Sequence, residues 1–216
     1  MGGRGASFGI ETIAALGIQA GEGEVKPLNV AGMTPMDKGS RYTNAKKTLA
    51  YIENIKKDYK EEQLQVIDRH GYVTRAFQGD QHSVAVDLET RTYMRGKVVT
   101  HNHPDTWGGT FSDADLSCLR MGMRELRASA REGNYSMKAM RTADPEGFHQ
   151  AYVRDSGKIQ FQMKKIAYEM AEKKWSSYNR YRHENRKAQL QVMHEWYEQH
   201  AGDYGYQYKF EQAEEG

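Results

Sequence analysis

The sequence predicts an α+β fold, a sheet flanked by helices, and three observations carry that reading. A helical period opens at Thr43, short alternating segments fill residues 63 to 101, and helical patterning returns for a long stretch after Pro145.

The elements follow in order. Residues 1–42 are Gly-rich, contain Pro27 and Pro35 and lack sustained periodicity, which predicts a flexible tail with an apolar island from Ile10 to Leu16. From Thr43, residues Ala45, Leu49, Ile52 and Ile55 share one helical face, and the helix is expected to end near Tyr59. Gln63 to Asp68 alternates, with Leu64 and Val66 on one side; Arg69-His70-Gly71 turns, and Tyr72 to Gln78 returns. Gly79-Asp80 turns again before a strand from Ser83 to Leu88, and a polar loop leads to a short strand from Lys97 to His101. Ser112 opens a helix with Leu116, Leu119, Met123 and Leu126 on one face. Arg127–Ala130 and Tyr135–Ala139 read as a hairpin around Gly133-Asn134. Helix then runs to about His200, where Gly202 and Gly205 break it before an aromatic tail. The expected division is a tail (1–42), a metal-binding domain (43–142) and a helical C-terminal extension (143–216).

Composition narrows the function classes. A mean hydropathy of −0.88 and 28% charged residues predict a small core with much solvated helix. The 31 basic and 29 acidic residues nearly balance, so total charge makes no case for nucleic acid or membrane. The lone Cys118 excludes an intramolecular disulfide and any Cys–Cys metal pair. No apolar run approaches the roughly 20 residues that span a bilayer, and the start lacks a signal-peptide core. The expectation is a soluble, cytoplasmic protein with no membrane partner.

The densest chemistry lies in Thr100-His101-Asn102-His103-Pro104, followed by Ser112-Asp113-Ala114-Asp115. Side chains two apart on a strand point the same way, so His101 and His103 aim at one point while Asn102 faces away. Pro104 ends the ladder, Gly108 and Gly109 let the loop fold back, and Asp115 returns from the first turn of a helix. Two imidazoles, one carboxylate and a water suit Zn²⁺ with one exchangeable position, where a bound water has a pKa of ~7. Ser112-x-x-Asp115 is also the pattern of a capping box. A cytidine-deaminase zinc site needs His-x-Glu and Pro-Cys-x-x-Cys, and the chain has neither.

The Thr-His-Asn-His-Pro run and the Ser-x-x-Asp that follows resemble the JAMM motif of the JAB/MPN metallopeptidase superfamily. That superfamily includes deubiquitinases, bacterial deconjugating enzymes and RadC-type proteins. The His-Asn-His-Pro spelling is similar to bacterial and phage-type members, and the resemblance spans Glu61 to near Arg141. It implies a JAB/MPN-like (cytidine-deaminase-like) sheet flanked by helices and a zinc-dependent hydrolase of peptide or isopeptide bonds acting on a protein or peptide. It makes His101, His103 and Asp115 the zinc ligands and Ser112 the side chain that stabilises the tetrahedral intermediate. It also implies a glutamate acid/base at the head of an earlier strand, for which Glu62 is the candidate and Glu61 the alternative. Eight residues separate His103 from Ser112, one more than the family's usual spacing. A bulge at Trp107-Gly108-Gly109 absorbs the extra residue, Asp113 replaces Asp115 as ligand, or the site is altered. Gly2-Gly3-Arg4-Gly5-Ala6-Ser7 resembles the start of some phage or prophage proteins, which would place the chain in a host cytoplasm or a virion.

Two rival readings stand beside the hydrolase. One is a non-catalytic, JAB-fold binding or virion-associated protein. The other is a nucleic-acid-targeting effector or nuclease, for which the basic, Tyr-bearing stretch from Tyr178 to Lys187 would contact phosphates and bases.

Overall fold

A computed structural model describes residues 17–19, 24–35, 44–56, 59–104 and 109–213. The expected tail of residues 1–42 lies largely outside them, as do the apolar island, Thr43, Trp107 and Gly108. Two described pieces of the tail are short strands, β1 (Gly17–Gln19) and β2 (Lys26–Pro27).

Helix α1 spans Ala45–Lys56. The face it buries is not the one its apolar residues mark. Ile52 is inside, but Ile55 is 38% exposed, and Thr48, Glu53 and Lys56 are buried instead. Tertiary partners explain the rotation. The Thr48 hydroxyl donates to the Gly71 carbonyl at 2.8 Å, Glu53 receives Arg127, and the Lys56 ammonium reaches the Gln63 carbonyl at 3.5 Å.

Strands β3 (Gln63–Ile67) and β4 (Val73–Gln78) form a hairpin that turns through Gly71, whose φ of 84° favours glycine. Strand β5 (Ser83–Ala85) is shorter than expected. Asp87 stops it, accepting the Thr90 N–H and capping a helix α2 (Leu88–Tyr93) where a polar loop was expected. Strand β6 covers Val98–Asn102, and α3 covers Asp113–Cys118. One 3₁₀ turn follows and ends at Gly122 (φ 72°), so the helix does not continue to Met123 and Leu126 as its spacing suggested. Leu126 belongs to strand β7 (Glu125–Ala130). Strand β8 spans Gly133–Ala139, so the hairpin turns at Arg131-Glu132 rather than at Gly133-Asn134. Two long helices follow, α4 (Pro145–Ala171), capped by Asp144, and α5 (Tyr178–His200), capped by Ser177. The aromatic tail is a strand, β9 (Tyr206–Gln212).

The architecture is α+β, with a mixed seven-stranded sheet in the order β2-β4-β3-β6-β7-β8-β9. Among the described residues, only β6 and β7 run parallel within it. Strand β1 pairs with β5 in a separate two-stranded ribbon. The sheet therefore crosses the expected boundary at residue 142, and the segment after it is not purely helical. Alternation in β9 sets Tyr206, Tyr208 and Phe210 against the main core, which gives that strand a reason to join the sheet. The main core gathers Leu64, Val99, Leu126 and Met137 under α3, α4 and α5. A smaller one (Ile52, Ile67, Val73, Val98) lies under α1. No helix among the described residues is long and apolar enough to cross a membrane.

Candidate metal centre

The centre is assembled where β3, β6 and α3 meet. In the ladder Leu64 pairs with His101, and His101 with Ala128, so His101 points to the core face. His103 lies just past the strand, but its N–H still donates to the Ser129 carbonyl at 2.8 Å, which keeps its backbone in line. Both imidazoles therefore converge, with their Nε2 atoms 2.9 Å apart.

Asp115 closes the group from α3. Its Oδ1 is 3.0 Å from His101 Nε2, and its Oδ2 is 3.5 Å from His103 Nε2. Ligands bound about 2.0 Å from a tetrahedral ion stand about 3.3 Å from one another. The three measured separations match that scale, and the donor set is one that fits a divalent ion. Glu62 presents Oε1 at 4.0 Å from His101 Nε2, farther than a fourth ligand of that tetrahedron would stand. Glu62, His101 and His103 also form a buried trio, with one potential ligand atom from each lying within 4.8 Å of the others, and this trio can hold a metal ion.

The capping box and the site use the same carboxylate. Ser112 N–H donates to Asp115 Oδ2 at 2.8 Å, and the Ser112 hydroxyl, 2.9 Å from the same oxygen, accepts the Asp115 N–H at 3.1 Å. The cap thus fixes the Asp115 rotamer. It also commits the Ser112 hydroxyl proton to Asp115, so in this geometry Ser112 orients that carboxylate. The alternative carboxylate, Asp113, is 57% exposed and faces α4, 3.0 Å from His149 Nε2.

The residue that aims Glu62 is Asn102. Its carbonyl oxygen accepts the Gln63 N–H at 2.7 Å, and its amide donates to the Glu61 carbonyl at 3.0 Å, so it grips both neighbours of Glu62. Sequence reasoning left Asn102 facing away from the site. A carboxamide next to two histidines carries no local sign that it will bridge two strands. Glu61 itself is exposed, and its carboxylate takes the Gln78 amide.

Electrostatics at the centre oppose one another. Burial raises the Glu62 carboxyl well above its usual range, helped by the charges of Asp115 and Asp80 and opposed by Lys56. Burial acts on Asp115 in the same direction, but the charges and hydrogen bonds of His101 and His103 outweigh it and hold that carboxyl far below the usual range. Burial also lowers the His103 imidazole, which favours the neutral form that binds metals. Lys56, buried beside Glu53 and Glu62, is pushed down to about 7. Cys118 is inert packing, its thiol pushed up to about 12 by burial.

Several polar atoms of the centre are buried with no hydrogen-bond partner: both Glu62 oxygens and Nδ1 of His101 and of His103. Gly109 fits the loop beneath α5, because a Cβ there would stand 2.4 Å from a Leu190 methyl. One residue before Ser112, the Phe111 carbonyl accepts the Tyr197 hydroxyl at 2.7 Å, which ties α5 to the start of α3. No family model, curated protein or solved structure matches the chain.

Proposed function

We propose that the chain is a JAB/MPN-like, zinc-dependent hydrolase of peptide or isopeptide bonds. One observation carries the reading. Two imidazoles and a carboxylate converge at tetrahedral spacing while a second carboxylate, without a hydrogen-bond partner, stands 4.0 Å from His101. His101, His103 and Asp115 would hold the zinc. When bound, the ion supplies a Lewis acid for an amide carbonyl and lowers the pKa of a water in its open position to about 7.

The chain's own groups do the rest. Glu62 takes a proton from the attacking water at a carboxylate oxygen that no other group engages, then delivers it to the leaving nitrogen. The desolvated pocket keeps that carboxylate basic enough to accept the proton. Asn102 fixes the backbone on both sides of Glu62, and Ser112 holds Asp115 toward the imidazoles.

The test is amide hydrolysis by the purified chain with zinc, with chelator, and as Glu62→Gln. The expected result is activity lost to chelator and reduced about 10²–10⁴-fold in the variant, which keeps its zinc. Full activity in zinc-loaded Glu62→Gln removes Glu62 from the mechanism. Stoichiometric zinc with no hydrolysis favours the binding-protein reading.

A second reading has its own observation. Residues 158–187, the distal part of the α4–α5 hairpin, carry nine Lys or Arg against three Glu, with Phe161 and Tyr168 exposed. That local excess suits a nucleic-acid backbone. Binding of a labelled oligonucleotide that weakens steeply with salt supports it, and salt-independent or absent binding removes it.

A further inference from the structure

Strand β5 follows β4, and the turn between them is hydrogen-bonded to Glu62. The Glu62 N–H donates to the Asp80 carbonyl at 2.6 Å, the Gly79 N–H to the Glu62 carbonyl at 2.8 Å, and the Asp80 N–H to the Ser83 carbonyl at 3.0 Å. Glu62 and β5 are thus joined by a short bonded turn. Its strand neighbour is β1, in parallel register, with Gly17 beside Ser83, Ile18 beside Val84 and Gln19 beside Ala85. Strand β1 also lies against α3, the helix that carries Asp115. Three residues of extended backbone therefore touch both the element next to Glu62 and the element holding Asp115.

The β1–β5 ribbon is outside the main sheet, and among the described residues β5 has no other strand partner. Val84 belongs to the main core and is fully buried, so β5 cannot swing away to find one. A buried strand edge needs its N–H and C=O groups paired. An extended peptide satisfies it through its backbone, with little demand on sequence.

We propose that the edge of β5 is a strand-accepting cleft for an extended peptide, and that residues 17–19 of this chain fill it in cis. The cis occupant is held by a short tether. Six residues separate Gln19 from Lys26, and β2 is paired to β4. Such a tether gives an effective concentration of order mM, which a peptide in trans must overcome. The consequence for activity rests on the hydrolase reading, in which the occupant keeps substrate from the centre; the cleft itself does not.

The experiment uses the full chain and its Ile18→Pro, Gln19→Pro double variant, in which β1 loses backbone donors without any shortening. A fluorescent peptide of residues 12–23 is titrated against each, and amide exchange is followed at Ser83–Ala85. The expected result is faster exchange confined to β5 in the variant, and peptide binding at least about tenfold tighter than to the parent chain. The same peptide carrying both prolines should not bind. Equal peptide binding to both chains, or unchanged exchange at β5, overturns the proposal. So does a variant that unfolds throughout, because a displaceable occupant is not part of the core. Neither readout needs zinc or turnover. Binding without hydrolysis leaves the cleft standing and removes the hydrolase, whereas hydrolysis with no effect of the prolines does the reverse.

Discussion

Arg127 and His101 sit on neighbouring strands of one sheet, point to opposite faces, and each enters a cluster of carboxylates. On the α1 face, Arg127 makes a forked contact with Glu53 at 2.5 and 3.0 Å, reaches Glu125 at 2.8 Å and lies 3.5 Å from Glu211. That cluster is electrostatically closed: a planar cation meets carboxylates that accept its protons. On the α3 face, His101, His103, Asp115 and Glu62 crowd together with four nitrogen and oxygen atoms left unpaired. The α3-face cluster is wholly buried, whereas Glu125 and Glu211 leave the Arg127 cluster partly open to solvent, and the two teach opposite lessons. A buried ionic group whose hydrogen bonds are complete is explained by folding. One that leaves buried polar atoms without partners can hold a ligand.

The difference can be broken from the closed side first. Arg127→Met strands Glu53 in a dry site and should cost about 3–5 kcal/mol, read as a lower denaturant midpoint. Zinc content per folded chain should not change. A loss of zinc alongside stability would mean that the two clusters are one unit.

A smaller effect is expected where cap and site share Asp115. Ser112→Ala removes a helix cap and should cost about 0.5–2 kcal/mol in chemical denaturation. It should also weaken zinc about 10–100-fold in competition with a chelating dye, because the group orienting a ligand is gone. Lost stability with unchanged zinc affinity would reduce Ser112 to a cap.

A pH-dependent effect separates the metal centre from a remote imidazole. His194 stacks on Tyr135, contacts the Tyr208 hydroxyl and is lowered by burial to about 4. Its unfolded value is near 6.5. A base lowered on folding contributes stability that is complete above the unfolded value and is lost as pH falls from about 6.5 toward 4. Unfolding midpoints of the zinc-free chain should decline over that window, and His194→Gln should flatten the decline. An equal decline in the variant would place the titrating group elsewhere.

Much of this arrangement was legible because it is local. His101 and His103 are two apart on a strand, and Ser112 and Asp115 are three apart across a cap; both spacings are set by backbone geometry alone. Glu62 was legible only as the head of a strand. What brings it to the histidines is Asn102, 39 residues from the Gln63 N–H it holds. The Arg127–Glu53 pair spans 74 residues, and no period in α1 announces that Glu53 and Lys56 face inward while Ile55 faces out. The six-residue α2 is too short to show a helical period. Strand β9 did carry a sign, aromatic and polar residues alternating from Tyr206 to Glu211, which the glycines before it obscured.

The central claim is that the buried cluster of His101, His103 and Asp115 is a metal site, and metal content tests it most directly. Zinc is measured by mass spectrometry on the purified full chain and on His103→Ala after equal exposure to the ion. About one zinc per chain in the parent and almost none in the variant is the predicted result. No zinc in the parent, or equal zinc in both, would contradict the account.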